Sequence, residues 1–141
     1  MALPKTIPSL AALSNCSIPE LEISCTFCGK DLKALEKILF HRYELCLKWT
    51  NGRALASCRR CLRISGRLEF TNYFQRNILA AEVRASTGAS LRFQQIRCRG
   101  CLKPLSRQEK QRLERRREFF YVVRGYYRSL CTFCKLYYNA V

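Results

Sequence analysis

The chain has 141 residues, ten of them cysteines, and its formal net charge is +16. A chain of this length forms one ordinary domain or two very small ones, and a half of roughly 70 residues buries too little apolar surface to be stable without disulfides or metals. No stretch approaches the ~18 apolar residues of a membrane span. The charge is +4 over residues 1–62 and +12 over residues 63–141, so the second half should attract nucleic acid or acidic protein surfaces.

Residues 1–17 are predicted to form a flexible N-terminal arm. Pro4, Pro8 and Pro19 interrupt the apolar residues of the segment 1–20, which therefore does not predict a secretory signal peptide. A secreted disulfide framework, the competing explanation for the cysteines, needs such a signal. We therefore expect a reducing compartment, the cytoplasm and the nucleus, where paired cysteines more often bind metal.

Residues 18–66 are predicted to form a first zinc domain. Between its two Cys-x-x-Cys pairs, residues 32–46 carry apolar side chains at helical spacing. The segment LCLKWT at 45–50 predicts a short strand, and Gly52 marks the turn after it.

Residues 67–88 are predicted to form a linker helix. The stretch 68–86 is too apolar for a loose tether, and Ser86-Thr87-Gly88 should end the helix. Its packing candidates are Phe70, Phe74, Ile78 and Val83.

Residues 89–137 are predicted to form a second zinc domain, followed by a short C-terminal tail at 138–141. A Ser-x-x-Glu capping box opens a predicted helix over 106–118. The segment FFYVV at 119–123 predicts a strand that corresponds to the strand of the first domain.

The two predicted domains are copies of one unit. A single offset along the chain places Cys25, Cys28, Cys58 and Cys61 on Cys98, Cys101, Cys131 and Cys134. The segment between the pairs has the same length in both units, at 29–57 and at 102–130, and the segment 62–97 separates the units. The same offset also matches Ile23 with Ile96, Lys30 with Lys103, Leu32 with Leu105, Glu36 with Glu109, Lys37 with Lys110, Arg42 with Arg115, and Gly52 with Gly125. Self-similarity at a fixed offset indicates a duplicated structural unit.

The cysteine spacing predicts two structural zinc ions. Two residues between cysteines let both sulfurs of a turn reach one ion, and two such turns complete a tetrahedral four-cysteine site. A redox role needs a thioredoxin-like βαβ context, which the sequence lacks. The expected ligands are Cys25, Cys28, Cys58 and Cys61 for one ion, and Cys98, Cys101, Cys131 and Cys134 for the other. The predicted fold class is a small α+β zinc-binding protein, with tandem duplicated four-cysteine zinc domains joined by a linker helix.

This cysteine pattern resembles the papillomavirus sixth early protein, the viral oncoprotein of the E6 family. The resemblance covers residues 18–135 and includes Leu45-Cys46, the run IRCRGCLKPLSRQEKQR at 96–112, and the Arg-Gly dipeptide at 124–125.

The resemblance implies an adaptor rather than an enzyme. Family members enclose, between two zinc domains and a linker helix, a groove that captures a short acidic Leu-x-x-Leu-Leu helix of a host protein. The captured proteins are a HECT-type ubiquitin ligase (E6-AP), Mastermind-like coactivators or paxillin, and capture redirects ubiquitination, blocks apoptosis, or alters transcription and innate immunity. The matching groove positions are Phe27, Leu45, Cys46, Leu62, Leu68 and Arg97, of which Arg97 would pair with the acidic side of the helix. The resemblance places the protein in the host cytoplasm and nucleus.

Two positions depart from the family pattern. Tyr126 stands where some members place a second groove arginine. The sequence ends Asn139-Ala140-Val141 without the hydroxyl residue that a PDZ ligand carries two residues from its end, so PDZ binding is not expected.

Two other function classes compete with an adaptor role. A zinc-dependent nucleic-acid-binding transcriptional regulator suits the basic second half and its interleaved aromatics, and weak non-specific nucleic-acid binding is compatible with an adaptor as well. An enzyme is disfavoured, because a four-cysteine site leaves zinc no open position and the single histidine, His41, offers little acid–base chemistry. Self-association into a homodimer is left open by the sequence.

Overall fold

The structure, a computed structural model, describes residues 2–139, with the side chains of 138 and 139 excepted. The chain divides after Leu62 into two compact units, each with its own hydrophobic core. The Ala140 and Val141 of the expected tail, and with them the PDZ question, lie outside the described residues.

The first unit consists of a three-stranded sheet and short helices. In chain order its elements are α1 (Ile7–Ser14), a 3-10 turn (Ile18–Glu20), β1 (Ser24–Cys25), α2 (Ala34–Arg42), β2 (Lys48–Thr50), β3 (Arg53–Ala56) and the start of α3 (Arg59–Tyr73). The strand order is β1-β3-β2, with β1 parallel and β2 antiparallel to β3.

The second unit repeats this arrangement and adds a strand. After the rest of α3 come β4 (Phe74–Ile78), α4 (Ala80–Thr87), a 3-10 turn (Leu91–Phe93), β5 (Arg97–Cys98), α5 (Arg107–Arg115), β6 (Phe120–Val123), β7 (Tyr126–Ser129) and α6 (Thr132–Asn139). The sheet order is β4-β6-β7-β5. In the first unit β1 and β2 both pair with β3, and in the second unit β5 and β6 both pair with β7. The paired residues of the two sheets correspond under the same offset that matches Cys25 with Cys98. The repeat read in the sequence therefore extends to the strand register.

Both units close their antiparallel strand pair with the same tight turn. Asn51 and Gly52 have φ of 51° and 75°, and Arg124 and Gly125 have φ of 52° and 80°. Two successive residues with positive φ form the hairpin turn whose twist matches that of the flanking strands. The glycines therefore stand where the turn requires them.

In place of the flexible arm expected over residues 1–17, the chain forms α1 and packs it into the first core. Ile7 is fully buried, and Leu10 and Ala11 are buried beside it. The Trp49 indole donates a hydrogen bond of 2.7 Å to the Pro4 carbonyl, and the Leu47 amide donates to the Lys5 carbonyl. These contacts join sequence-distant segments, which local composition does not reveal.

In place of the single linker helix expected over residues 67–88, three elements occupy that segment: the end of α3, then β4, then α4. The strand β4 pairs antiparallel with β6, and the Phe70, Phe74 and Tyr121 rings pack against one another with centroids 5.1 to 6.1 Å apart. A partner strand thus overrides the helical periodicity at 74–78. The predicted stop at Gly88 does cap α4, with φ of 69°.

The other predicted elements form within shorter bounds. The helix expected over 32–46 occupies Ala34–Arg42, and the helix expected over 106–118 occupies Arg107–Arg115 behind its predicted capping box. The strands expected at 45–50 and 119–123 occupy Lys48–Thr50 and Phe120–Val123. No helix among residues 2–139 is both long and apolar enough to cross a membrane.

Gly66 in α3 allows a close approach of backbone within the second unit. A Cβ at this position would lie 2.9 Å from the Arg99 carbonyl oxygen and 3.0 Å from the Gly100 carbonyl oxygen. These residues lie in the turn between Cys98 and Cys101, so the absence of a side chain at Gly66 lets α3 pack on that turn.

We predict that Gly66→Ala destabilises the protein by about 1–3 kcal/mol, because a methyl group must displace backbone, although alanine favours helices. Thermal unfolding of the zinc-loaded protein measures the change. Ser65→Ala, one position earlier in the same helix, is the control and should leave the melting temperature nearly unchanged. Equal stability of Gly66→Ala and the natural protein would contradict the close packing.

Candidate metal centres and partner-binding residues

The first candidate metal centre lies in the first unit. Cys25 ends β1 and Cys28 follows in the turn after it, whereas Cys58 precedes α3 and Cys61 lies in its first turn. The four sulfurs lie within 4.8 Å of one another, and the sulfurs of Cys28 and Cys58 are 3.8 Å apart.

The second candidate metal centre has the same construction in the second unit. Cys98 ends β5 and Cys101 follows in the turn, whereas Cys131 precedes α6 and Cys134 lies in its first turn. All four sulfurs again lie within 4.8 Å of one another. The sulfurs of Cys101 and Cys131 are 3.9 Å apart.

These distances fit tetrahedral zinc. With Zn–S bonds of about 2.3 Å, the edge of a sulfur tetrahedron is about 3.8 Å. Four thiolates are the donor set of structural zinc sites and leave the ion no open position. The chain thus holds two structural zinc ions, one in each four-cysteine group, as the sequence predicted.

The thiols of the first group differ in pKa because their surroundings differ. Burial acts to raise the pKa of Cys25, but backbone N–H groups of Cys28 and Cys58 donate to its sulfur and lower the pKa to about 6. Burial and the adjacent thiols raise the pKa of Cys61 to about 12.

The second group shows the same division between its thiols. Hydrogen bonds from the Cys101 and Cys131 side chains hold the pKa of Cys98 well below its ordinary value. The hydrogen bonds of Cys101 with the Cys131 and Cys98 side chains raise the pKa of Cys101. Burial, with the charge of the neighbouring sulfurs, raises the pKa of Cys134 to about 12. Each group therefore holds protons at neutral pH until a cation compensates its charge.

Backbone amides of the second unit point at the Cys98 and Cys131 sulfurs. The Gly100 and Cys131 amides donate to Cys98 Sγ at 3.3 and 3.4 Å, and the Cys134 amide donates to Cys131 Sγ at 3.4 Å. Such N–H donors stabilise thiolates and fix the orientation of the ligands.

A glutamate in each unit connects two helices beside the metal centre. The Glu36 carboxylate accepts 3.0 Å hydrogen bonds from the Lys33 amide, which caps α2, and from the Arg59 amide, which begins α3. The Glu109 carboxylate accepts in the same way from the Ser106 amide at 2.9 Å and the Thr132 amide at 2.6 Å. Each glutamate thus holds the amide that directly follows the third cysteine of its group.

A buried lysine accompanies each glutamate. Lys37 Nζ donates to the Pro19 and Leu21 carbonyls, and Lys110 Nζ donates to the Gln94 carbonyl at 2.8 Å. The matches of Glu36 with Glu109 and of Lys37 with Lys110 were visible in the sequence repeat, but sequence reasoning gave only Glu109 a role, in the capping box of α5, and did not foresee the bonds to a second helix. Their recurrence at two adjacent positions was the signal that could have found them.

The structure assigns each predicted partner-binding residue to one unit. Leu45 packs at the edge of the first core, Leu62 is buried, and Cys46 is exposed. Phe27, also in the first unit, is 66% exposed.

The predicted positions in the second unit are Leu68 and Arg97. Leu68 is 57% exposed on α3. Arg97 is half-buried on β5, and its Nη1 donates a 3.0 Å hydrogen bond to the Leu102 carbonyl. Tyr126, at the position of the expected second arginine, is exposed and lies under the Arg128 guanidinium, 5.1 Å from the ring centre. His41 is exposed at the end of α2 and belongs to neither cysteine group.

We predict that the metal-free protein binds two equivalents of zinc and releases protons as it does so. Because thiols such as Cys61 and Cys134 have raised pKa values, they are protonated at neutral pH without metal, and zinc must displace their protons. The apparent zinc affinity should therefore rise with pH. Zinc titration in weak buffer, with a pH indicator and metal analysis, tests this; a stoichiometry of one, or no proton release, would contradict it.

We predict that Glu109→Ala destabilises the second unit by about 2 kcal/mol, because two helix N-termini lose an acceptor. The backbone donors, opposing burial, hold the pKa of Glu109 below its ordinary value. The stabilisation is therefore complete above that ordinary value and is lost as pH falls through the folded-state pKa. Denaturant unfolding of the variant and of the natural protein at pH 7, and at the lowest pH at which metal analysis still finds two zinc ions in both, measures the two effects as differences, because acid also releases zinc.

The control for this variant is Glu114→Ala on the same helix, whose carboxylate forms only an exposed ion pair with Arg84 at 2.9 Å. It should cost less than about 1 kcal/mol. If Glu109→Ala is as stable as this control, the hydrogen bonds that Glu109 accepts from the Ser106 and Thr132 amides contribute nothing to the free energy of unfolding.

Known proteins resemble this chain over nearly its whole length. The family model described as Early Protein (E6) matches residues 25–134. Protein E6 of Human papillomavirus 25 and Protein E6 of Human papillomavirus type 8 are each 34% identical over 137 residues, which cover 97% of this chain and 85% and 88% of those proteins. The solution structure of the C-terminal zinc-binding domain of HPV51 oncoprotein E6 is 30% identical, with a TM-score of 0.41, and covers 45% of this chain and 83% of that one.

The family match spans both cysteine groups, and the relatives are matched over most of their own length. This chain therefore belongs to the E6 family of papillomavirus early proteins.

Proposed function

We propose that this zinc-binding member of the E6 oncoprotein family is an adaptor that captures an acidic Leu-x-x-Leu-Leu helix of a host protein. The proposed partners are a HECT-type ubiquitin ligase, a Mastermind-like coactivator or paxillin. Capture would redirect ubiquitination, block apoptosis or alter transcription and innate immunity. The proposed site of action is the host cytoplasm and nucleus.

The observation that carries this proposal is the exposure of apolar side chains at the positions implied by the family resemblance. Phe27 and Leu68 are each more than half exposed, and Leu45 is only partly covered by the first core. Apolar side chains left in water favour association with a partner that covers them.

The charge of the chain supports an acidic ligand. A net charge of +16 attracts acidic segments and accelerates their encounter. Arg97 is held by its hydrogen bond to the Leu102 carbonyl, so less side-chain freedom is lost when it meets a carboxylate.

Leucine burial would contribute to the affinity. Three leucines contribute ~1.5–3 kcal/mol each, before the costs of association and of ordering the helix are subtracted. Charge adds specificity for the acidic side of the helix.

An adaptor role also agrees with the chemistry of the metal centres. Four cysteines saturate each zinc, so neither ion can bind water or polarise a substrate. We accordingly propose that the chain is not an enzyme.

A second candidate function is zinc-dependent nucleic-acid binding in transcriptional regulation. It is favoured by a basic groove of about 420 Å³ in the second unit, whose lining includes Arg92, Arg107 and Arg115. Such a groove suits a phosphate backbone. Tight oligonucleotide binding at physiological salt would favour this candidate, and affinity that collapses with added salt would count against it.

We predict that Leu45→Glu raises the Kd for acidic Leu-x-x-Leu-Leu peptides of the ligase, Mastermind-like proteins and paxillin by at least about thirtyfold, because a carboxylate replaces a leucine-binding surface. Arg97→Ala should raise it several-fold, since a charge pair is lost. Fluorescence anisotropy with labelled peptides measures both, with zinc content verified at two per chain.

Leu35→Glu is the matched control, because Leu35 is 60% exposed on α2 and lies outside the predicted contact positions. It adds the same charge and should bind as the natural protein does. If the natural protein ignores all three peptides, or if all variants bind equally, the proposed function is wrong.

A further inference from the structure

The second unit contains a cavity of about 250 Å³ that the proposed function does not use. It lies between α5 and α6 and is smaller than the ~300–1,000 Å³ typical of sites for drug-sized ligands. This volume suits one or two side chains. Its lining consists of Glu109, Arg112, Leu113, Arg116, Glu118, Leu130, Thr132, Lys135 and Leu136.

Leucines form the apolar part of the cavity. Leu113 is buried in the second core, Leu130 packs against that core, and Leu136 is 67% exposed on α6. An aliphatic side chain entering the cavity would contact all three and would cover Leu136.

The repeat relates this cavity to the surface proposed for Leu-x-x-Leu-Leu binding. The offset that places Cys25 on Cys98 also places Leu45 on Glu118 and Leu62 on Lys135. The two side chains that replace these leucines form an ion pair with each other. The cavity of the second unit therefore carries two charged side chains at the positions where the first unit has two leucines.

The rim of the cavity is basic. Arg112 and Arg116 form no ion pair within residues 2–139. The acidic side chains of the lining are already engaged, because Glu109 accepts from two amides and Glu118 Oε1 pairs with Lys135. Two guanidinium groups thus remain for an acidic ligand.

One buried acceptor also lacks a donor. Glu118 Oε2 is buried and has no hydrogen-bond partner in the described part of the chain. A peptide N–H group brought to the cavity would satisfy it, and a buried acceptor gains substantially when it is paired.

From these features we propose that the cavity binds one aliphatic side chain of an acidic peptide segment, as a second peptide site in addition to the one for Leu-x-x-Leu-Leu helices. The leucines receive the side chain, Arg112 and Arg116 bind flanking carboxylates, and Glu118 accepts from the peptide backbone. The inference rests on the proposed function only through the repeat, because the cavity, its rim and its unpaired acceptor are properties of the second unit.

The test is a nuclear magnetic resonance titration of the full zinc-loaded chain with the synthetic peptide Glu-Asp-Leu-Asp-Glu, with leucine methyl groups observed. We expect saturable shifts at the Leu113, Leu130 and Leu136 methyls. Leu136→Glu should raise the Kd at least about tenfold, because it replaces an exposed leucine of the cavity with a group that repels the acidic peptide. Arg112→Ala should raise it about threefold, as expected for a rim charge pair.

Arg115→Ala is the matched control, since Arg115 lies on the same helix but lines the other groove. It should leave the Kd unchanged. Equal weakening by Arg112→Ala and Arg115→Ala would mean attraction by net charge alone and would overturn the site, as would the absence of shifts at millimolar peptide.

The same experiment separates this inference from the proposed function. If a Leu-x-x-Leu-Leu peptide shifts Leu45 and Leu62 while Glu-Asp-Leu-Asp-Glu shifts no methyl group of the cavity, the proposed function is supported and the second site is overturned. If Glu-Asp-Leu-Asp-Glu shifts the methyl groups of the cavity while the Leu-x-x-Leu-Leu peptide shifts neither Leu45 nor Leu62, the second site is supported and the result counts against the proposed function. An oligonucleotide that displaces the peptide from the cavity at lower concentration would overturn the peptide assignment.

Discussion

The coordination of one zinc by four thiolates is the interaction on which each unit of this protein depends. In both units it joins a turn that follows a two-residue strand to the first turn of a helix. Neither unit is large enough for its core alone to provide secure stability. Because folding brings the four thiols of each site together, folding free energy and metal-binding free energy are coupled.

Glu36 and Glu109 connect the segment that carries the metal ligands to a second helix. Each carboxylate holds two helix N-termini together, one of them beginning at the third cysteine of the group. The first N–H groups of a helix have no acceptor within the helix, and here one carboxylate accepts from the N-termini of two helices. The buried lysines next to them bind backbone carbonyls of the preceding segment, Lys37 that of Pro19 in the first 3-10 turn and Lys110 that of Gln94 directly after the second. The metal centre is thus supported by a small polar network that occurs twice.

Duplication has preserved this framework while the surfaces have diverged. Positions that are apolar in the first unit, Leu45 and Leu62, are an ion pair in the second, Glu118 and Lys135. Framework residues are constrained by the metal and by the backbone amides that they bind, and residues outside the framework do not carry that constraint. Two copies of one fold can therefore present chemically different surfaces within a single short chain.

The sequence by itself determined the metal chemistry, the duplication and the family, because these depend on residue type and spacing along the chain. A Cys-x-x-Cys turn or a Ser-x-x-Glu cap involves neighbours within one turn, so local reading was sufficient for the ligands and for the start of α5. Only the tertiary structure decided that residues 7–14 pack into the first core, that residues 74–78 form a strand on β6, and that Glu36 and Glu109 each cap a second helix. Those outcomes depend on contacts between segments far apart in the sequence, such as Glu109 with Thr132, and periodicity within one segment carries no information about which distant segment will meet it.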